Sequence, residues 1–440
     1  MRLNEHPARV PAGASLRRIA IISDHASPLA QPGSIDCGGQ NVYVANLARE
    51  LALAGYMVDV FTRRDAMSQK TLVHCADNVR VVHVPAGPAH YVPKEHMLPY
   101  IGHFSRFVAR FCSRAARHQA GYDIVHANFF MSGMVAQHLK HTLGIPFVIT
   151  FHALGHVRRL AQGAADAFPS ARMRIESSLM RHADRIIAEC PQDRLDMEQL
   201  YGAAPGRICM APCGFDPEEL WPEPQEAARE RLGIAPGRFV VLQLGRMVPR
   251  KGVDTVIQGL ALLRERQGVD AELLVVGGDH ERPDGRDLPE MARLRTLARQ
   301  LGIEEHVRFI GQQPRAALRH YFSAADVFAT TPWYEPFGIT PVEAMACARP
   351  VIGAEVGGIK STVVDGVTGF LIPSRDPRAL ADRLAVLQAD PQLARRMGEE
   401  GLRRAYRHYT WRAVAQQAAA IYATVLNETR TRHLTGISTL

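Results

Sequence analysis

The stretch Glu335-Pro-Phe-Gly-Ile-Thr-Pro-Val-Glu343 places two carboxylates eight positions apart across a loop that leads into a helix. Thr340, Pro341 and Glu343 predict a capping box, with Thr at the N-cap, Pro at the first helical position and Glu at the third. That accounts for Glu343 but not for Glu335 or Gly338. A second cluster is Gly245-Arg-Met-Val-Pro-Arg-Lys251-Gly252. One forked guanidinium, Arg246, and one ammonium, Lys251, suit a diphosphate. Lys251 is also one of only five lysines, with Lys70, Lys94, Lys140 and Lys360, in a chain otherwise supplied with Arg. In a third cluster, Asp36-Cys-Gly-Gly-Gln40, Gly38 and Gly39 let backbone N–H groups approach a ligand at a helix N-terminus that favours an anion. A tight turn would use the same glycines. His152 ends an apolar run just before Gly155, where a polar ring serves a site or fills a core.

These clusters need strands and helices to hold them. Short apolar runs bounded by turn residues read as buried strands at 17–23, 56–63, 79–85, 122–128, 146–152 and 184–190. Helical stretches lie between them, the first of them Asn41-Val-Tyr-Val-Ala-Asn-Leu-Ala-Arg-Glu-Leu-Ala-Leu-Ala-Gly55. Around 209–216 the pattern breaks, and a Pro-, Glu- and Arg-rich linker with a short helix follows. A second series of strands is expected at 239–245, 271–278, 306–312, 326–332, 350–355 and 369–373. Alternating strands and helices of this kind predict an α/β fold of two doubly wound, Rossmann-like domains, each binding ligands beyond the carboxyl ends of its strands. The site is then expected in the cleft between them. The expected boundaries are a disordered 1–16, a first domain at 17–215, a second at 216–408, a helix at 409–427 packing back on the first domain, and an aperiodic tail at 428–440.

Composition narrows the function. The net charge is +8, with 47% hydrophobic and 22% charged residues, ordinary values for a globular chain of two or three domains. The Arg residues are scattered rather than run together, which disfavours nucleic acid as a partner. The basic excess would serve anionic ligands or weak peripheral contact with an anionic membrane surface. Seven cysteines without a CxxC pattern predict neither structural zinc nor a disulfide framework, and fit a cytoplasmic protein. The N-terminus has no apolar signal-peptide core, and no run of about 18 apolar residues exists to span a membrane. The first glycine loop is not G-x-G-x-x-G, and the second strand ends in Arg63-Arg64 where a dinucleotide ribose would need an acidic residue, which disfavours hydride transfer.

Taken together, Gly38–Gly39, Phe151-His152, Gly245-Arg246 with Lys251-Gly252, the Glu335/Glu343 pair and Gly357-Gly358 resemble glycosyltransferase family 4, retaining enzymes of the GT-B fold, in family order over roughly 17–425. The resemblance implies that Arg246 and Lys251 hold the donor diphosphate and that Glu343 binds the ribose hydroxyls. It implies that Glu335 and His152 meet the transferred sugar, with Gly38, Gly39, Phe337, Gly338, Ile339 and Thr340 lining the donor pocket. No Asp-x-Asp occurs, so a metal-independent enzyme without a cofactor is expected, with cations and helix dipoles neutralising the nucleotide sugar.

Two branches of the family look nearest in style. Gly38-Gly-Gln40, Tyr91-Val-Pro-Lys-Glu-His96 and Arg174-Ile-Glu176 resemble sucrose-phosphate synthases. Ser27-Pro-Leu-Ala-Gln-Pro-Gly33 and Gly39-Gln-Asn-Val-Tyr-Val44 resemble the inositol-phosphate glycosyltransferases of mycothiol synthesis. Both imply a UDP-sugar donor and a small phosphorylated acceptor, here met by Gln40, Lys94, Arg172 and Arg174. Where the inositol-phosphate enzymes have Tyr and Thr, this chain has Phe129 and Ala153, so the acceptor stays open. A lipid-linked or polysaccharide acceptor, a nucleotide-sugar hydrolase or epimerase, and a silent binding scaffold are the alternatives.

Overall fold

The computed structural model describes residues 17–30, 38–278 and 289–437, with side chains to 432. The N-terminal segment 1–16, Asp36 and Cys37 of the first glycine loop, and 438–440 lie outside the described residues.

Eight strands form the first sheet: β1 (Arg18–Ile22), β2 (Met57–Arg63), β3 (Leu72–Ala76), β4 (Val79–Val84), β5 (Ile124–Asn128), β6 (Phe147–Thr150), β7 (Arg185–Ala188) and β8 (Ile208–Met210), in the order β3-β4-β2-β1-β5-β6-β7-β8. All neighbours are parallel except β3, which runs antiparallel to β4 at the edge. The second sheet is wholly parallel: β9 (Phe239–Leu244), β10 (Ala271–Val276), β11 (Val307–Gly311), β12 (Val327–Thr330), β13 (Val351–Ala354) and β14 (Gly369–Ile372), ordered β11-β10-β9-β12-β13-β14. The central strands β1, β5, β10 and β12 are buried throughout, as parallel strands covered by helices on both faces must be. Strand order reverses beside β1 in one sheet and beside β9 in the other. The crevices at these reversals face each other, which places the ligand cleft between the domains.

The expected strands are present, most of them trimmed by a residue or two at the ends. β3 and β8 were not anticipated. The short helix Gln225–Leu232 follows the linker as expected. The last helix differs from expectation: it runs Trp411–Ile437 and so continues well past 427. Glu428 explains part of the extension, because it pairs with Arg185 at the start of β7.

Two segments cross between the domains and bond to each other. Phe215 N–H donates to Tyr409 O at 2.8 Å, and Trp411 N–H donates to Phe215 O at 3.1 Å. A Cβ on Gly214 would lie 2.7 Å from Tyr409 O, so only glycine fits where the strands of the hinge pass. Beyond the crossing the C-terminal helix packs on the first domain. The Trp411 and Tyr43 rings lie 5.8 Å apart, and the Tyr422 hydroxyl meets His126 Nδ1 at 2.6 Å while Thr150 Oγ1 meets Nε2 at 2.9 Å.

His126 therefore reports on the seating of that helix. Burial, aided by nearby His152, pushes its imidazole down to about 3. The unfolded chain takes up this proton near pH 6.5 and the folded chain does not, so this part of the stability is intact above about pH 6.5 and is lost progressively as pH falls toward 3. At pH 5 the loss is about 2 kcal/mol. Urea unfolding at about pH 7 and pH 5 should show His126→Gln losing less stability on acidification than the native protein. Equal losses would mean that His126 does not set the acid limb.

Candidate active site

The cleft between the two crevices has a volume of about 300 Å³. Its C-terminal-domain wall begins after β9. The turn Pro249–Lys251 ends at Gly252, whose φ is +66° and whose added Cβ would lie 1.9 Å from Thr331 O. Thr331 Oγ1 in turn donates to Gly252 O at 2.7 Å. This close docking of the β9 loop on the end of β12 brings Lys251 beside Glu335, and the two form an ion pair. Burial pushes the Lys251 ammonium down, against the opposing pull of Glu335. Burial would raise the Glu335 carboxyl, but Lys251, Arg250 and Arg246 hold it below the usual range. The pair is thus a carboxylate set among three cations.

Glu343 is buried, 2% exposed, and Arg315 Nη2 donates to it at 3.1 Å. Arg315 also reaches Glu219 at 2.7 Å. The predicted capping box is not formed. The helix Ile339–Ala346 starts after Gly338, which is its N-cap at φ +91°, with no side-chain cap. Starting the helix one residue before Thr340 leaves that hydroxyl on the cleft wall and sends Glu343 to Arg315 instead. Phe337, Gly338, Ile339 and Thr340 all line the cleft.

Across from them, Gly38 and Gly39 open the helix Gly39–Leu53. A Cβ on Gly38 would lie 3.6 Å from Arg246 Cζ, and one on Gly39 3.5 Å from Ile339 Cδ1, so this loop closes on the wall of the other domain that carries Arg246 and Ile339. His152 follows β6 with φ at +57°, a conformation uncommon for a non-glycine residue. Its Nδ1 lies 2.9 Å from Glu189 Oε1 and its Nε2 2.9 Å from Asn128 Oδ1. Both ring nitrogens are engaged, so contact with a sugar hydroxyl through Nε2 requires that hydroxyl to replace Asn128.

Of the expected acceptor residues, Gln40 and Lys94 line the cleft. Gln40 Nε2 is held by Ser23 Oγ at 3.2 Å and Asn128 O at 3.3 Å. Arg172 and Arg174 do not line it. Arg172 is 1% exposed; it pairs with Glu176 at 2.7 Å and lies within 4.4–5.0 Å of the Phe129, Phe130 and Phe168 rings, behind the cleft floor. Arg174, two residues along the helix Ala171–His182, points away on its exposed side. The floor itself is Phe129 and Ala153.

Several cleft residues escaped the sequence reading. Arg158 lines the cleft, paired with Asp166 at 3.0 Å, and so does His25, held by Asp24 at 3.1 Å. Tyr334 carries the Arg250 guanidinium 5.2 Å from its ring centroid, and its hydroxyl accepts from Gln162 Nε2 at 2.5 Å, a bond between domains. Lys251 as the rare lysine and Glu335 as the uncapped carboxylate were legible. Tyr334 and Arg158 carried no local signal. Glu189 did carry one, as an acid at the end of the apolar run Arg185-Ile-Ile-Ala.

Two facing α/β domains with this cleft make a GT-B fold, and its family matches show that the chain belongs to the glycosyltransferases. The family descriptions "Glycosyl transferases group 1" and "Glycosyltransferase Family 4" match residues 224–404 and 37–219. The chain is 36% identical over 419 residues to "D-inositol 3-phosphate glycosyltransferase 2" of Catenulispora acidiphila, covering 94% of this chain and 96% of that one. It is 38% identical to "D-inositol 3-phosphate glycosyltransferase" of Kineococcus radiotolerans, covering 93% and 95%. The solved "Sucrose-phosphate synthase" of Thermosynechococcus elongatus superposes with a TM-score of 0.85 at 32% identity, covering 94% of this chain and all of that one. Among the described residues, no helix is long and apolar enough to cross a membrane.

Proposed function

We propose that this glycosyltransferase moves a hexose, with retention, from a nucleotide sugar of the UDP-glucose type to a small phosphorylated sugar or polyol. The observation that carries the reading is the Lys251–Glu335 pair beside Arg246, set opposite Gly38–Gly39 and His152 in one cleft. Arg246 and Lys251 take the donor diphosphate, Glu343 the ribose, and Glu335 the sugar hydroxyls, where a half-buried carboxylate pairs well with vicinal O–H donors. The acceptor hydroxyl attacks the anomeric carbon on the face the nucleotide leaves. The departing diphosphate receives the acceptor's proton, and Arg246 and Lys251 neutralise the charge that develops on it. Closing the domains over the cleft excludes water and limits donor hydrolysis.

Lys94 and Arg158, both at the cleft wall, supply the charge for an anionic acceptor group. Relatives named for an inositol phosphate and for sucrose phosphate support a phosphate there. With Arg172 behind Phe129, the acceptor phosphate has a different seat from the one the sequence suggests, which favours a different acceptor shape.

Phosphorylated acceptors should be used at least tenfold better than their dephosphorylated forms, and Lys94→Ala should erase most of that preference by removing one charge-assisted bond. Mass spectrometry over a panel of nucleotide sugars and sugar phosphates measures this. Equal use of neutral sugars, unaffected by Lys94→Ala, refutes the phosphate reading; product without any acceptor identifies a hydrolase. The cations at the diphosphate also predict turnover that persists in EDTA. Activity abolished by chelator and restored by Mg²⁺ or Mn²⁺ would refute metal independence.

A further inference from the structure

We infer that Glu189 is a positioning residue for glycosyl transfer: with Cys213 behind it, it fixes the His152 ring at the edge of the donor-sugar pocket. This rests on the reading of His152 as a sugar contact.

Glu189 follows β7, lines the cleft and is 3% exposed. Its Oε1 receives two bonds, from His152 Nδ1 at 2.9 Å and from the Cys213 thiol at 3.0 Å. Among the described residues, His152 is its only ion-pair partner, with no Lys or Arg to offset the charge. A carboxylate buried in this way costs stability rather than supplying it, so folding alone gives little reason for it. Burial would raise its carboxyl, yet the attraction of His152, with the bonds from His152 and Cys213, holds it below the usual range. Burial and Glu189 together push the Cys213 thiol well up, which keeps the thiol a donor.

The acceptor is therefore an ionised carboxylate, and Nδ1 of His152 must carry the proton between them. The backbone at φ +57° and the Tyr43 ring, 4.8 Å away edge-on, restrict the imidazole from two other sides. With Nδ1 committed, the ring can offer only its Nε2 edge, now at Asn128, to an incoming hydroxyl. Cys213 sits next to Gly214 in the interdomain crossing, so the same bond ties the ring's orientation to the hinge.

The test is a double-mutant cycle of Glu189→Gln and His152→Ala, read by kcat, donor KM and UDP affinity. Glu189→Gln should lower kcat roughly tenfold or more, with donor KM and UDP affinity changed less than about threefold. In the His152→Ala background the same substitution should change kcat less than about twofold, because its action passes through the missing ring. Unchanged kcat in Glu189→Gln, or an equal loss in both backgrounds, overturns the inference. If His152→Ala keeps full kcat, the reading of His152 itself fails. Nitrogen-15 histidine NMR of the native enzyme gives an independent measurement should Glu189→Gln not fold. A protonated Nδ1 signal that disappears in His152→Ala is expected, and an unprotonated Nδ1 overturns the inference.

Discussion

Lys251→Ala is expected to weaken UDP binding by roughly 10- to 150-fold, the range for losing one charge-assisted bond to a phosphate. Lys251 is held beside Glu335 by the docking of Gly252 on Thr331. The substitution also leaves the Glu335 carboxylate without its ion-pair partner in a mostly buried site, so the thermal midpoint should fall as well. Calorimetry with UDP on the folded variant measures the first effect and a melting curve the second. Unchanged UDP affinity would remove Lys251 from the diphosphate site.

Glu335→Gln should behave in the opposite way toward the nucleotide. Glu335 and Lys251 are ion-paired, so a diphosphate must draw Lys251 away from a carboxylate. Replacing that carboxylate with an amide removes the competitor, and UDP affinity should hold or rise. Turnover should fall by roughly 100- to 1,000-fold, because the negative charge facing the sugar is lost when positive charge develops there. Steady-state kinetics together with UDP titration separates the two. A loss of UDP affinity that parallels the loss of turnover would make Glu335 a binding group for the nucleotide rather than a group acting on the sugar.

The strands of both sheets were legible because a parallel strand covered on two faces must be apolar nearly throughout, as Ile19 to Ile22 and Leu273 to Val276 are. The edge strand Leu72–Ala76 was not, because its side chains are largely exposed and its one line of backbone bonds to β4 leaves no hydrophobic pattern. Ile208–Met210 is too short to carry a period. The C-terminal helix was foreseen, but its end was not: the tail's composition says nothing of Arg185, a distant residue that Glu428 finds only in the folded chain.

Residue type and spacing by themselves determined the two-domain α/β plan, and the resemblance of its motifs pointed to the family; both singled out Lys251, Glu335, Arg246 and Gly38–Gly39, which line one cleft because each belongs to a loop at a strand end. Tertiary structure alone decided which neighbours each charge would face. It turned Glu343 from a helix cap to Arg315, because the helix begins at Ile339. It drew Arg172 behind three phenylalanine rings and left Lys94 and Arg158 at the wall. It also set Glu189 against His152, 37 residues away in sequence. A local pattern specifies the backbone on which a side chain rides, but the partner of a buried charge is whichever group from another element reaches the same space, and that is fixed only when the elements pack.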